Sequence, residues 1–386
     1  MFERHVFIPF ALITLINFIS GFALQMTVPT LSVYLKSLDF PLQFLGFAAL
    51  ISALTALLFR PISAALSTKL GALTTALMGS VVYLAAYTLF YFMKIPMLIV
   101  MTRALQGIGV GLFVTGLGTA IAQIVPHEHM LTGMNIYSLF AAATGALGPF
   151  VGMMLIADGV YTDMFLWAAI LSGVALILML ILIKLSPKHV EEVQSSDVSI
   201  PSIFKSEAVF PSLMVLALMF FQAGLVAFLA IYGQEIGIQN VGFFFLYNFV
   251  GLILSRFIVN RLIHSFDLSV ILVGLTLGYS LINAVIVVQP TVWSWTLLSI
   301  AHGFVFNVLA TIYNTMAIKN VPYELKAKAN ALYFAAIDLG FFLGGILWGF
   351  VAKAWGSASI FILTAVISFI FMNFGAYIAH KKNIQF

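Results

Sequence analysis

Residues 96–124 read PMLIVMTRALQGIGVGLFVTGLGTAIAQI, an apolar run carrying a single charge, Arg103, followed by Gln106-Gly107-Ile108-Gly109-Val110-Gly111. An apolar stretch of this length is read as a membrane-crossing helix. A charge about seven residues into such a helix is expensive and faces a partner or a water-filled cavity. The glycines let a neighbouring helix approach closely.

The rest of the chain has the same character. Of 386 residues, 62% are hydrophobic and 8% are charged, against about 25% charged in an ordinary soluble domain. Seventeen Lys and Arg with thirteen Asp and Glu cannot form the polar skin of a soluble protein. A soluble enzyme and a disordered regulator are excluded. A net charge of +4 spread along such a chain makes no basic patch, so no nucleic-acid partner is expected. With no cysteine, disulfides, thiol catalysis and thiolate-held metals are absent.

Spans are expected at about 6–35, 41–66, 73–93, 96–124, 131–156, 161–184, 209–232, 240–262, 268–288, 291–318, 329–352 and 356–379. The fold class is therefore an all-α membrane protein of twelve transmembrane helices. The apolar N-terminus is followed by no small-residue cleavage site and reads as the first span. The polar stretch 185–208 separates an N-terminal six-helix half, 1–184, from a C-terminal half, 209–386. It is expected to be a cytoplasmic linker, with an amphipathic surface helix as the alternative. Outer loops hold Lys36, Lys94 and Lys353, whereas the other loop and helix-end Lys and Arg fall on the opposite side. This asymmetry places both termini in the cytoplasm.

The two halves repeat each other. Arg60 and Arg256 lie 196 residues apart, as do Val125-Pro126 and Val321-Pro322, and Gln106-Gly107 and His302-Gly303. Asn135 and Asn330, and Gly145 and Gly340, lie 195 apart. Matches at one offset near half the chain length indicate duplication of a six-span unit. That architecture points to a carrier rocking about a site between its halves.

Two further segments carry patterns. The fifth span contains Gly145-Ala146-Leu147-Gly148-Pro149-Phe150-Val151-Gly152, where Pro149 removes a backbone hydrogen bond and the glycines make a smooth face. Between spans two and three, Arg60 to Gly71 reads as a short basic cytoplasmic loop, with Lys69 beside a turn at Gly71. These segments, in this order, resemble the major facilitator superfamily, and the twelve spans and the repeat extend the resemblance over the whole chain. Arg103, Gln106, Gly107, Gly109 and Gly111 are similar to the family's fourth-span motif. Gly148, Pro149 and Gly152 are similar to its fifth-span motif typical of exporters, which implies efflux over uptake. Where the family's loop motif usually has Gly, Asp and Arg, this chain has Ala64, Thr68 and Ala72; Lys69 and Gly71 keep the pattern. Within the superfamily the chain resembles bacterial twelve-span drug:proton antiporters. Arg103-Ala104-Leu105-Gln106-Gly107, Tyr137-Ser138-Leu139-Phe140 and Asp338-Leu339-Gly340 are also similar to exporters of opine-type metallophores such as staphylopine.

Candidate functional residues follow from polarity at depth. Asp338 is the acidic residue well inside a span, and a carboxyl group removed from water is suited to proton exchange. His302, in span ten, is a second candidate for proton coupling, or a hydrogen-bonding packing residue. Arg103 and Gln106, with Asn17, Gln25, Gln222, Tyr247, Asn248, Asn307 and Tyr333, are candidate cavity-lining and substrate-binding residues; the alternative for each is helix–helix hydrogen bonding. Lys69, Gly71, Gly107, Gly111, Gly145, Gly148, Pro149 and Gly152 are candidate gating or packing positions. Most of the 37 Phe and 16 Met face lipid or pack helices. One buried acid suits neutral, amphipathic or zwitterionic cargo better than strongly cationic cargo.

No P-loop pattern is present, and His127-Glu128-His129 is too closely spaced for the helical two-histidine zinc pattern. No cofactor or metal is expected. The sequence therefore predicts a proton-coupled secondary exporter of a small molecule, monomeric in a bacterial cell membrane. An uptake symporter is the runner-up. A polytopic lipid enzyme or a channel fits less well.

Overall fold

In lipid a backbone must satisfy its own hydrogen bonds, and a helix does so within one segment. The computed structural model describes residues 4–126, 129–185, 207–238, 241–319, 321 and 326–381. Among these residues there is no strand. Twelve helices follow one another: α1 (Arg4–Ser37), α2 (Leu42–Leu70), α3 (Ala72–Phe92), α4 (Pro96–Ile124), α5 (Met130–Leu155), α6 (Thr162–Leu185), α7 (Val209–Glu235), α8 (Gly242–Ser265), α9 (Leu268–Val288), α10 (Val292–Lys319), α11 (Lys326–Trp355) and α12 (Ser357–Lys381). All twelve are long and apolar enough to cross a membrane.

Every predicted span is present, with ends within about four residues of expectation. One expectation fails. The segment from Arg60 to Leu70 is the continuation of α2 and not a loop, with Pro61 inside the helix. Its polar residues are absorbed locally: Ser63 Oγ donates to the Leu112 carbonyl of α4 at 3.3 Å, and Thr68 Oγ1 donates to the Ala65 carbonyl. The turn shrinks to Gly71, whose φ of +90° is a conformation that costs glycine little. The linker expectation lies almost wholly outside the described residues, as do His127 and Glu128.

The chain forms two compact units, residues 1–39 with 51–195, and residues 40–50 with 196–386. In the first, α1 packs on α5 and α6, and α3 packs on α4 and α6. In the second, α7 packs on α11 and α12, α9 on α12 and α10, and α8 on α10. These pairings repeat the same scheme. The N-terminal end of α2 belongs to the second unit, where Gly46 packs against Gly345 and Gly349 against Gln43.

The repeat extends to single contacts. A Cβ built on Gly107 overlaps the carbonyl of Ser52, and one built on Gly303 overlaps the carbonyl of Asn248. Gly107 and Gly303 are 196 residues apart, and so are Ser52 and Asn248. The duplication read from sequence is thus a duplication of helix crossings.

Candidate functional site

In the first unit the site is built on α4. Gly107 and Gly111 sit one helical turn apart and meet α2, at Ser52 and Ala56. Gly109 lies on the other face and meets α3, where an added Cβ falls 3.3 Å from the Gly79 carbonyl. A helix wedged this closely on both sides fixes the depth of Arg103. That side chain is 1% exposed. Its Nη1 donates to Thr27 Oγ1 of α1 at 3.3 Å and to Gln106 Oε1 on its own helix. Tyr83 and Tyr87 of α3, their rings stacked at 6.1 Å, interact electrostatically with the guanidinium. The buried charge is thus surrounded by a hydroxyl, an amide and two phenols. Gln106 is fully buried, and its Nε2 makes no hydrogen bond of ordinary geometry.

The fifth-span glycines face α1. Gly145 lies against Gln25, Gly148 against Gln25 and Met26 (an added Cβ would come within 2.8 Å of both), and Gly152 against the Met26 carbonyl. Their spacing of three and four residues puts them on one face. Helix α5 runs through Pro149 to Leu155. Gln25 is half-buried on this contact. Asn17, also on α1, is 8% exposed with its Nδ2 unpartnered. Lys69 and Gly71 are exposed at the end of α2.

In the second unit, Asn248 of α8 and His302 of α10 meet. Asn248 Nδ2 lies 2.8 Å from His302 Nδ1 and also donates to the Ser299 carbonyl at 3.3 Å. The imidazole is fully buried among Phe244, Tyr279 and Phe306, with ring centroids 5.5 to 6.0 Å away. His302 Nε2 and the Tyr279 hydroxyl have no partner among the described residues. Asn307 turns back to the Gly303 carbonyl of its own helix at 2.7 Å. Tyr333 of α11 donates to the Ala310 carbonyl of α10 at 2.9 Å, so it serves as helix–helix adhesive. Gln222 of α7 is nearly buried with its Oε1 unpartnered. Tyr247 stacks on Phe243 and lines an aromatic cavity of about 430 Å³ with Trp293 and Trp295.

Asp338 stands in the middle of α11, half-buried. Every other acidic residue among those described lies in a loop, a turn or a helix end. The hydrogen bond of His302 runs to Asn248. Sequence reasoning picked out Arg103, Gln106, Asn248 and His302. It missed Thr27, Tyr83, Tyr87 and Tyr279, which complete the two clusters. The repeat offset was the available signal, because Tyr83 and Tyr279 are also 196 residues apart.

Twelve spans, a duplicated crossing scheme and polar groups buried in helix interiors define a multi-pass membrane transport protein. The profile of the Major Facilitator Superfamily matches residues 13–325, and the chain belongs to that family. It is 22% identical over 311 residues to an uncharacterised MFS-type transporter of Methanocaldococcus jannaschii, covering 76% of this chain and 78% of that protein. It is 22% identical over 340 residues to the staphylopine export protein of Staphylococcus aureus, covering 83% of each. Among solved structures, the nucleoside transporter NupG aligns with a TM-score of 0.77 at 14% identity, over 97% of this chain and 99% of that one. A D-xylose–proton symporter aligns with a TM-score of 0.77 at 13% identity, over 96% and 97%. These structural likenesses establish the fold.

Proposed function

We propose that this chain is a proton-coupled exporter that moves a small amphipathic or zwitterionic molecule by alternating access of its two six-helix halves, 1–184 and 209–386. The observation that carries the proposal is Asp338. It is a carboxyl group in the middle of a membrane helix, while every other described acid sits at a loop or helix end. An acid at that depth has a function by default, and reversible protonation neutralises it as the carrier changes state. Arg103 supplies the complementary charge. Its guanidinium either holds an anionic group of the cargo or tunes a carboxylate, with Gln106, Asn17, Gln25, Gln222, Tyr247 and Asn248 as further candidate contacts. The glycine positions of α4 and α5 provide close helix contacts within the first half, which hold that half together as it moves. Both termini are assigned to the cytoplasm of a bacterial cell, and the working unit is a monomer.

The export direction is supported by the fifth-span pattern Gly148-Pro149 with Gly152 and by the similarity to the staphylopine export protein. A zwitterionic opine-type metallophore is therefore the first cargo to test. The runner-up is uptake by symport, favoured by the likeness in fold to a D-xylose–proton symporter. The experiment uses purified protein in proteoliposomes with labelled staphylopine as the probe and an imposed pH gradient. Saturable flux driven against the proton gradient supports an antiporter; flux in the direction of proton movement supports the symporter. Asp338→Asn is expected to bind the probe with little change and to lose gradient-driven flux by at least about tenfold, the factor of a single lost stabilising interaction of about 1.4 kcal/mol. Gradient-driven flux at the parent rate in that variant overturns the assignment of Asp338. Asp338 and His302 are the two coupling candidates, and the experiment addresses Asp338.

A further inference from the structure

His302 stands at the repeat position of Gln106, 196 residues on, and the surroundings of the two side chains repeat as well. Each is followed by a glycine that seats its helix on a neighbour, Gly107 on Ser52 and Gly303 on Asn248. The preceding helix carries a buried tyrosine at the matching position in each unit: Tyr279 packs on His302 with ring centroids 5.5 Å apart, and Tyr83, 196 residues earlier, interacts electrostatically with Arg103, the hydrogen-bond partner of Gln106. Both side chains are fully buried. Each accepts one hydrogen bond, Gln106 Oε1 from Arg103 and His302 Nδ1 from Asn248. In each case the remaining nitrogen, Nε2, is buried without an ordinary hydrogen bond.

The direction of the Asn248 contact fixes the tautomer. The same Nδ2 reaches the Ser299 carbonyl, which only accepts, so the Asn248 nitrogen is the amide donor and Nδ1 of His302 is the acceptor. The ring proton then resides on Nε2. A neutral imidazole of this tautomer and a glutamine amide present the same kinds of function, one acceptor atom, Nδ1 or Oε1, and one N–H donor atom, Nε2.

We propose that His302 is the second half's counterpart of Gln106, a neutral side chain that positions α8 against α10 through Asn248, and not the carrier of the transported proton. Among the described contacts of His302, from Phe244 and Asn248 of α8, Tyr279 of α9 and Phe306 of α10, Tyr279 is the sole titratable group. The imidazole is thus enclosed by two phenyl rings, one phenol and one amide, with no carboxylate among those contacts with which to exchange a proton.

The inference rests on proton-coupled transport for its kinetic test, which uses the same proteoliposomes and staphylopine probe. His302→Leu and Asn248→Leu each leave a buried partner unsatisfied, and flux falls by about tenfold in each. The double variant is no worse than Asn248→Leu, which already removes the contact to His302 together with the one to the Ser299 carbonyl. His302→Gln restores flux to within about twofold of the parent, with the pH profile unmoved, because glutamine supplies the same acceptor and donor. Loss of gradient-driven flux or a displaced pH profile in His302→Gln, with probe binding retained, overturns the proposal. So do additive losses in the two leucine variants.

If the parent protein moves no probe, the functional reading fails separately, and thermal unfolding of the same purified variants decides the positioning role. The expected pattern is a melting temperature lowered by a few degrees in His302→Leu and Asn248→Leu, without additivity, and recovered in His302→Gln. A glutamine variant no more stable than the leucine variant overturns it there.

Discussion

A guanidinium inside a membrane helix is stable only where its donors are answered, and Arg103 is answered by Thr27 and Gln106. Thr27 is itself oriented, since its hydroxyl donates to the Leu24 carbonyl at 2.8 Å and leaves Oγ1 as the acceptor. A lysine keeps the charge, but its ammonium falls short of the position of Nη1 and is more strongly hydrated, so its burial costs more. Arg103→Lys is therefore expected to lower the melting temperature and to reduce transport of the staphylopine probe by about tenfold, the scale of a lost charged hydrogen bond. Parent-like stability and flux in that variant would show that the fork is dispensable. The arginine was conspicuous in the sequence as a lone charge. Its tyrosine neighbours were not, because Tyr83 and Tyr87 sit among 13 tyrosines and nothing in their local sequence separates a buried phenol from one at the interface.

At the scale of the element, glycine divides into two kinds. Gly107 and Gly303 lie where backbones touch, so any side chain must displace α2 or α8. Gly118 of α4 and Gly274 of α9 have open space around an added Cβ. Gly107→Ala and Gly303→Ala should each lower the melting temperature and slow transport, since an added Cβ overlaps the Ser52 and Asn248 carbonyls, and at Gly107 the Thr55 hydroxyl as well. Gly118→Ala and Gly274→Ala should be neutral, or stabilise by up to about 1 kcal/mol through the better helix propensity of alanine. Thermal unfolding of the four variants checks the division, and equal effects in both pairs would defeat it. Sequence alone could not make this split. The Gly-x-Gly-x-Gly pattern from Gly107 to Gly111 indicated close packing, but which neighbour each glycine meets depends on tertiary arrangement. Helix ends were legible because apolar length is set by the bilayer and Gly or Pro marks several of the turns. The end of α2 was misread for a related reason. Arg60-Pro61 and the Ser, Thr and Lys that follow have the composition of a loop, yet Pro61 costs the helix one backbone hydrogen bond while Ser63 is anchored on α4.

For the whole molecule, the proposed orientation rests on the charges at the helix ends. Lys36, Lys94 and Lys353 lie near the ends of α1, α3 and α11. Lys69, Lys184 and Lys319 lie at the opposite ends of α2, α6 and α10. In the proposed topology the second set, which belongs to the side richer in Lys and Arg, faces the cytoplasm. The protein contains no cysteine, so single cysteines can be introduced without first removing any. Substitution of Lys36, Lys94 or Lys353 by cysteine should give labelling of intact cells with a membrane-impermeant maleimide. Substitution of Lys69, Lys184 or Lys319 should give labelling only after the membrane is permeabilised. All six positions fall at helix termini and outside the tight glycine crossings, so the changes leave the core untouched. The reverse pattern would invert the topology. It would leave the direction of the proposed transport unchanged, because protons flowing inward through an antiporter drive cargo outward whichever way the carrier lies in the membrane, so topology and direction are tested separately.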